Sequence, residues 1–112
     1  MSVTIYHNPK CSKSRQTLAL LQENGVEPKI VDYLQTPPSA AELKAILKKL
    51  GLGPRDVLRR KEAGEEGIDP RLDGDALIAA IFAHPRALER PIVVKGAKAV
   101  LGRPPENVLA II

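Results

Sequence analysis

The sequence has one cysteine, no tryptophan and only 3% aromatic residues. A lone cysteine forms no internal disulfide, which excludes a small disulfide-stapled fold, and we expect a reducing, cytoplasmic location. No apolar run approaches the roughly 20 residues of a membrane-spanning helix, so no membrane partner is expected. Met1–Ile5 also leads too soon into a polar loop for the apolar part of a secretion signal. One cysteine and two well-separated histidines offer no metal-ligand cluster.

What is present is typical of a small globular protein. The chain has 112 residues and is 44% hydrophobic, enough for one core built mainly of Leu, Ile, Val and Ala. Its net charge of +4 comes from basic residues that are spread along the chain without interleaved aromatics. We therefore expect a small anionic ligand or an ordinary solvated surface, no nucleic-acid partner, and a monomer.

The first half of the sequence predicts two strands joined by a helix. Val3–Tyr6 is β-prone and ends near His7, and Pro28–Tyr33 is the second strand. Between them, good helix formers run from Ser12 to Asn24, before Gly25. The clearest helix then follows Thr36-Pro37-Pro38, with Ser39 as N-cap, Glu42 completing a capping box, and an apolar face of Leu43, Ile46, Leu47 and Leu50.

The second half predicts further helices and a hairpin. Pro54 opens a short helix that extends as far as Arg60, Glu62 to Asp69 is a charged loop, and a helix runs from about Asp73 to His84. Two strands, Pro91–Val94 and Ala97–Leu101, follow across Lys95-Gly96. A last helix begins at Pro104-Pro105, with Val108, Leu109 and Ile112 on one apolar face.

This order of elements predicts an α/β protein with a thioredoxin-like fold. A parallel strand pair joined by a helix would be followed by an antiparallel hairpin and a covering helix, giving a mixed four-stranded sheet. We expect one domain over residues 1–112, with a helical insertion at about 39–85 between the N-terminal βαβ and C-terminal ββα halves.

Cys11 lies at the predicted start of the first helix. The helix dipole and the unpaired N–H groups there favour the thiolate, and Lys10, Lys13 and Arg15 add positive charge nearby. The alternative is a buried, inert cysteine, but polar residues flank Cys11 on both sides. His7 could act on the thiol, or it could be structural; the residues alone leave both readings open.

Two familiar cysteine motifs are absent. Cys11 and Arg15 form Cys-x3-Arg, which is too short for the Cys-x5-Arg loop that wraps an oxyanion in low-molecular-weight phosphatases. Ser14 occupies the place of the second thiol in Cys-x-x-Cys. Any redox cycle at Cys11 must therefore use a thiol from another molecule.

The segment His7–Arg15 resembles the active-site segment of the glutaredoxin-coupled ArsC family of arsenate reductases, especially its small YfgD-like branch. Four further segments resemble the family in family order: 33–38, 55–59, 88–94 and 102–105. The resemblance covers essentially the whole chain.

The resemblance implies a thioredoxin-like fold and an oxidoreductase mechanism. The Cys11 thiolate would attack arsenate, glutathione would join as co-substrate with no bound cofactor, glutaredoxin would recycle the enzyme, and arsenite would leave. By motif, three arginines would bind the oxyanion and His7 would lie next to the nucleophile. These arginines are Arg59, Arg90 and Arg103. Ser14 and Arg15 are further substrate-binding candidates, and Arg15 could instead cap the loop.

Alternatives follow from where the sequence departs from the family pattern. In the best-established reductases the cysteine is followed by Gly-Thr-Ser-Arg, whereas Ser12 and Lys13 occupy the first two places here. Another oxyanion or a glutathione mixed disulfide could be the substrate, which would make the protein a glutathione-dependent thiol/disulfide reductase. A second class of function is an Spx-like regulatory protein that binds RNA polymerase.

Overall fold

The computed structural model describes residues 2–112, which form two compact units. The first comprises the chain as far as Thr36 together with Arg90–Ile112, and the second comprises Pro37–Glu89. Residue 1 of the predicted domain lies outside the described residues, and the expectations of a single domain and of an insertion at about 39–85 stay predictions.

The first unit is a four-stranded sheet with one long helix. Its elements are β1 (Val3–His7), α1 (Ser12–Glu23), β2 (Lys29–Asp32), β3 (Ile92–Lys95) and β4 (Lys98–Leu101). The strand order is β2-β1-β3-β4, with β1 parallel to β2 and antiparallel to β3, and with β3 antiparallel to β4. This confirms the mixed sheet, the crossover helix and the hairpin that the sequence predicts.

Alternation along β1 explains the core of this unit. Val3 and Ile5 are buried on one face of the strand, where they join Leu21 of α1, Val93 of β3 and Val108 in one apolar cluster. The chain turns between β3 and β4 at Gly96, whose φ of +59° suits glycine.

The last helix differs from the prediction. It is a 3-10 helix, Pro105–Ala110, and Leu109 is 48% exposed although Val108 is fully buried. With three residues per turn, the face that carries position 108 carries position 111 and not 109. Ile111 accordingly packs against the apolar cluster, and Ile112 after the helix does so as well. The expectation that Leu109 lies on the buried face was wrong.

The second unit is helical. It contains α2 (Ala40–Leu50), α3 (Arg60–Glu65) and α4 (Gly74–Ala83), with 3-10 helices at Pro54–Val57 and Pro85–Ala87. The predicted capping box is present, since Ser39 Oγ accepts from Glu42 N–H at 3.1 Å and Glu42 Oε1 accepts from Ser39 N–H at 3.4 Å. Both α2 and α4 contribute three buried apolar residues: Leu43, Ile46, Leu47, Leu77, Ile78 and Ile81.

Two predictions about the segment after Pro54 were wrong. The helix that begins at Pro54 ends at Val57, and α3 covers part of the predicted loop at Glu62–Asp69. Local propensity is weak here, and tertiary contacts decide the structure, because Arg59 N–H donates to Ala87 O at 2.7 Å and Ala63 is buried.

No helix among residues 2–112 is long and apolar enough to cross a membrane.

Candidate active site

Cys11 is the N-cap residue of α1, in extended conformation with φ −94° and ψ 124°. Its N–H donates to Asn8 O at 3.0 Å, and its carbonyl oxygen accepts from Arg15 N–H at 3.0 Å. The residue is 9% exposed. The loop after β1 therefore places the thiol at the positive end of α1, as the sequence predicts.

The surroundings of Cys11 favour the thiolate. Burial raises the pKa of the thiol, but hydrogen bonding from Ser14 N–H, the charge and hydrogen bond of Arg90, and Lys13 N–H together outweigh it. The net result is a pKa below the ordinary 9.0. A partly buried thiol with a lowered pKa has the character of a nucleophile rather than of a core residue.

Sheet topology brings Arg90 and Arg103 to the same edge as Cys11. Arg90 lies just before β3 and Arg103 just after β4, and the paired residues Ile92 and Leu101 are at this end of the hairpin. Because β1 is antiparallel to β3, this end is also where β1 leads into the Cys11 loop. Arg103 Nη1 lies 4.0 Å from Cys11 Sγ and donates to Arg90 O at 3.1 Å.

His7 is held by Ser14 and is buried at the end of β1. Its Nδ1 shares a hydrogen bond with Ser14 Oγ at 2.5 Å, and the same Oγ accepts from Asn8 N–H at 3.0 Å. Burial lowers the pKa of His7, Asp32 raises it and Arg15 lowers it, with a net value below 6.5. His7 is therefore mainly neutral at pH 7.

A close backbone approach fixes the segment that carries Arg103. Gly102 N–H donates to Pro91 O at 2.9 Å. A Cβ on Gly102 would lie 2.6 Å from Thr17 Oγ1 and 2.8 Å from Pro91 Cγ, so only glycine fits. The Arg90–Pro91 and Arg103–Pro104 peptide bonds are both cis. Asn107 Nδ2 donates to Arg103 O at 3.2 Å, and this hydrogen bond also holds the segment that carries Arg103.

The remaining predicted site residues have different surroundings. Arg15 is exposed, and its Nη1 donates to Pro9 O at 3.0 Å, a contact that caps the loop. Arg59 belongs to the second unit, where its guanidinium lies 3.3 Å from Glu62 Oε1 and 3.9 Å from Glu89 Oε1. The structure thus gathers Cys11, Ser14, Arg90 and Arg103, with His7 joined through Ser14. The catalytic roles predicted for Cys11 and His7, and the substrate-binding roles predicted for the arginines and Ser14, stay predictions.

The sequence predicts the turn before Cys11 but not the contacts that position this site. Asn8 accepts from Cys11 N–H with its carbonyl oxygen and from Lys10 N–H with Oδ1, at 3.0 Å each. The Asn-Pro pair after β1 indicates the turn, although it does not specify these two hydrogen bonds. Asp32 and Gly102 act through pairing and packing between distant segments, which leave no local signal. Asn107 acts locally, since its amide donates to carbonyl oxygens four and six residues earlier.

The arrangement suits attack on an anion. A thiolate repels an approaching oxyanion, and two guanidinium groups offset that repulsion while pairing with the oxygens. Across residues 2–112, no three His, Cys, Asp or Glu side chains are gathered where a metal ion could bind.

Comparison with known proteins gives matches over almost the whole chain. The sequence model of the ArsC family matches residues 6–111. Over 114 residues the chain is 51% identical to the arsenate reductase of Neisseria meningitidis serogroup A, covering 98% of this chain and 97% of that protein. It is 53% identical over 114 residues to the uncharacterized protein YfgD of Escherichia coli K12, covering 98% and 96%. The solved structure of the arsenate reductase of Vibrio cholerae matches with a TM-score of 0.92 and 52% identity, covering 100% of this chain and 98% of that chain.

Proposed function

Since this chain belongs to the ArsC family, we propose that it is an arsenate reductase whose nucleophile is the Cys11 thiolate. The observation that carries the proposal is the contact between Arg103 Nη1 and Cys11 Sγ at 4.0 Å, beside Arg90, which lowers the pKa of the thiol. These two guanidinium groups can hold a tetrahedral oxyanion next to the Cys11 nucleophile.

The reaction needs two thiols, and one oxygen atom of arsenate leaves as water. The Cys11 sulfur forms a bond to arsenic(V), and the bond from arsenic to one hydroxyl group breaks. That hydroxyl group takes up a proton carried by the arsenate anion and leaves as water. Glutathione then supplies the second thiol, two electrons pass to arsenic, and arsenite, arsenic(III), is released as the two sulfurs become joined in a disulfide. Because Cys11 is the only cysteine in the chain, the disulfide includes a foreign thiol, and glutaredoxin regenerates the free enzyme.

A coupled assay tests the proposal. Purified protein is mixed with glutathione, glutaredoxin, glutathione reductase and NADPH, and NADPH loss is followed when arsenate is added. We expect arsenate-dependent loss that Cys11→Ser abolishes. Arg103→Ala should lower kcat/KM by about 10²–10³-fold, the effect of removing one donor to an oxyanion. Arg86→Ala, which removes an exposed arginine paired with Glu65, is the matched control and should retain activity.

The assay also separates the alternatives. Absence of arsenate-dependent NADPH loss would contradict the proposal. Turnover of a glutathione mixed disulfide without turnover of arsenate would identify a thiol/disulfide reductase. Stable capture of RNA polymerase by the purified protein, without either turnover, would favour the Spx-like function.

A further inference from the structure

A cavity of about 260 Å³ lies within the helical second unit. Small-molecule sites in proteins measure about 300–1,000 Å³, so this cavity is slightly smaller than that range and suits only a small ligand. Its walls include the buried side chains of Ala63 and Ile68 and the half-buried Leu58 and Leu72. All of its lining residues lie between Arg55 and Leu72. The buried part of the wall is therefore apolar, and the cavity is large enough for a short hydrocarbon chain.

Gly64 in α3 faces this cavity. It has no positive φ, and a Cβ added to it would meet nothing within 4 Å. Neither backbone conformation nor close packing thus requires glycine here, although glycine weakens a helix relative to alanine. At Gly64 the cavity wall is therefore bare backbone.

The charged groups around the cavity favour an anion. Asp69 is the one carboxylate that lines it, and both of its oxygens are engaged by Arg71, at 3.2 and 3.0 Å. Arg55 is held at the wall, with Nε 3.7 Å from Asp73 Oδ2. Arg60 also lines the cavity, and within residues 2–112 it forms no ion pair.

We propose that this cavity is a binding site for a small apolar carboxylate. The hydrocarbon part would lie against Leu58, Ala63 and Ile68, and the carboxylate would pair with the Arg60 guanidinium at the rim. A planar carboxylate matches the fork of donors on arginine, and burial of the ligand's hydrocarbon part supplies the rest of the affinity.

Amide chemical-shift mapping with hexanoate tests the site, and hexanamide is the neutral probe of matched shape. We expect shifts confined to residues 55–72, with hexanoate binding about tenfold more tightly than hexanamide, a difference of about 1.4 kcal/mol. Gly64→Leu places a side chain in the cavity and should abolish binding, whereas Gly64→Ala leaves most of the space and should retain it. Arg60→Gln should remove the preference for hexanoate.

Several results would overturn the proposal. Equal affinity for hexanamide would mean that the occupant is a neutral apolar molecule. Unchanged binding to Gly64→Leu, or shifts outside residues 55–72, would mean that the probe binds elsewhere. Shifts of the same amides with protein concentration alone would mean that a second copy fills the cavity. If Gly64→Leu fails to fold, the Arg60→Gln arm still decides, because an unchanged preference for hexanoate there contradicts the proposal.

Discussion

Ser14 Oγ lies 2.5 Å from His7 Nδ1 and accepts from Asn8 N–H at 3.0 Å. One hydroxyl group thereby ties the first turn of α1 to the end of β1 and to the loop that carries Cys11. Ser14 is fully buried, so water cannot replace these contacts.

Replacing Ser14 by alanine should destabilise the protein. The change leaves two polar groups without their partner, and a buried unsatisfied group costs about 1–3 kcal/mol. We expect a decrease of that size in the free energy of unfolding, measured by urea denaturation. Ser12→Ala, at an exposed position two residues earlier, should change it by less than about 0.5 kcal/mol. Equal effects of the two substitutions would contradict the role of Ser14.

The elements that the sequence predicted well are those with strong local signals. Ser39 and Glu42 predict the start of α2 because a capping box satisfies backbone groups within three residues. The β-prone run Val3–Tyr6 and the turn residues Lys95-Gly96 likewise predict β1 and the hairpin. Cys11 was predictable for the same reason, since the turn residues Asn8 and Pro9 precede it and a helix follows it.

The rest depended on contacts between distant segments. Leu58 and Leu88 form an isolated antiparallel β-bridge, which precedes Arg59 and the start of α3. No local sequence pattern predicts this pairing. Phe82 in α4 is 44% exposed because the buried face of this helix is formed by Leu77, Ile78 and Ile81. Residues that position the site through packing, such as Gly102, were hidden for the same reason.

Alanine at Gly102 should cost stability, because its Cβ would meet Thr17 and Pro91 at 2.6–2.9 Å. Thr17 is fully buried and β-branched, so it cannot move aside freely. Overpacking of this kind costs about 1–3 kcal/mol, and we expect such a loss in thermal or urea unfolding. Gly64→Ala, which adds the same methyl group where nothing lies within 4 Å, should instead be neutral or stabilise by up to about 1 kcal/mol. Similar losses in both variants would refute the steric explanation.

The buried His7 makes stability depend on pH. Burial lowers its pKa below 6.5, so between these two values the unfolded chain binds more protons than the folded one. The contribution of His7 to stability is therefore complete above 6.5 and is lost as pH falls toward the folded pKa. An NMR titration of the His7 ring should show a midpoint below 6.5, and Asp32→Asn should lower it further because Asp32 raises the pKa. A midpoint at or above 6.5 in the wild type would contradict this account.

Arg90 should control the reactivity of the thiol as well as binding of the anion. Burial raises the pKa of Cys11, and Arg90 is among the groups that reverse this effect through its charge and a hydrogen bond. We expect the rate of alkylation by iodoacetamide to rise with pH around a midpoint below 9.0 in the wild type. Arg90→Ala should move that midpoint upward, and Arg90→Lys should restore part of the difference because it keeps the charge but not the planar fork of donors.

Arg86→Ala is the control, because the Arg86 guanidinium is paired with Glu65, and it should leave the midpoint unchanged. An unaltered midpoint in Arg90→Ala would assign the lowered pKa to the N–H groups of Ser14 and Lys13 alone, and would leave Arg90 with a role in binding the anion only.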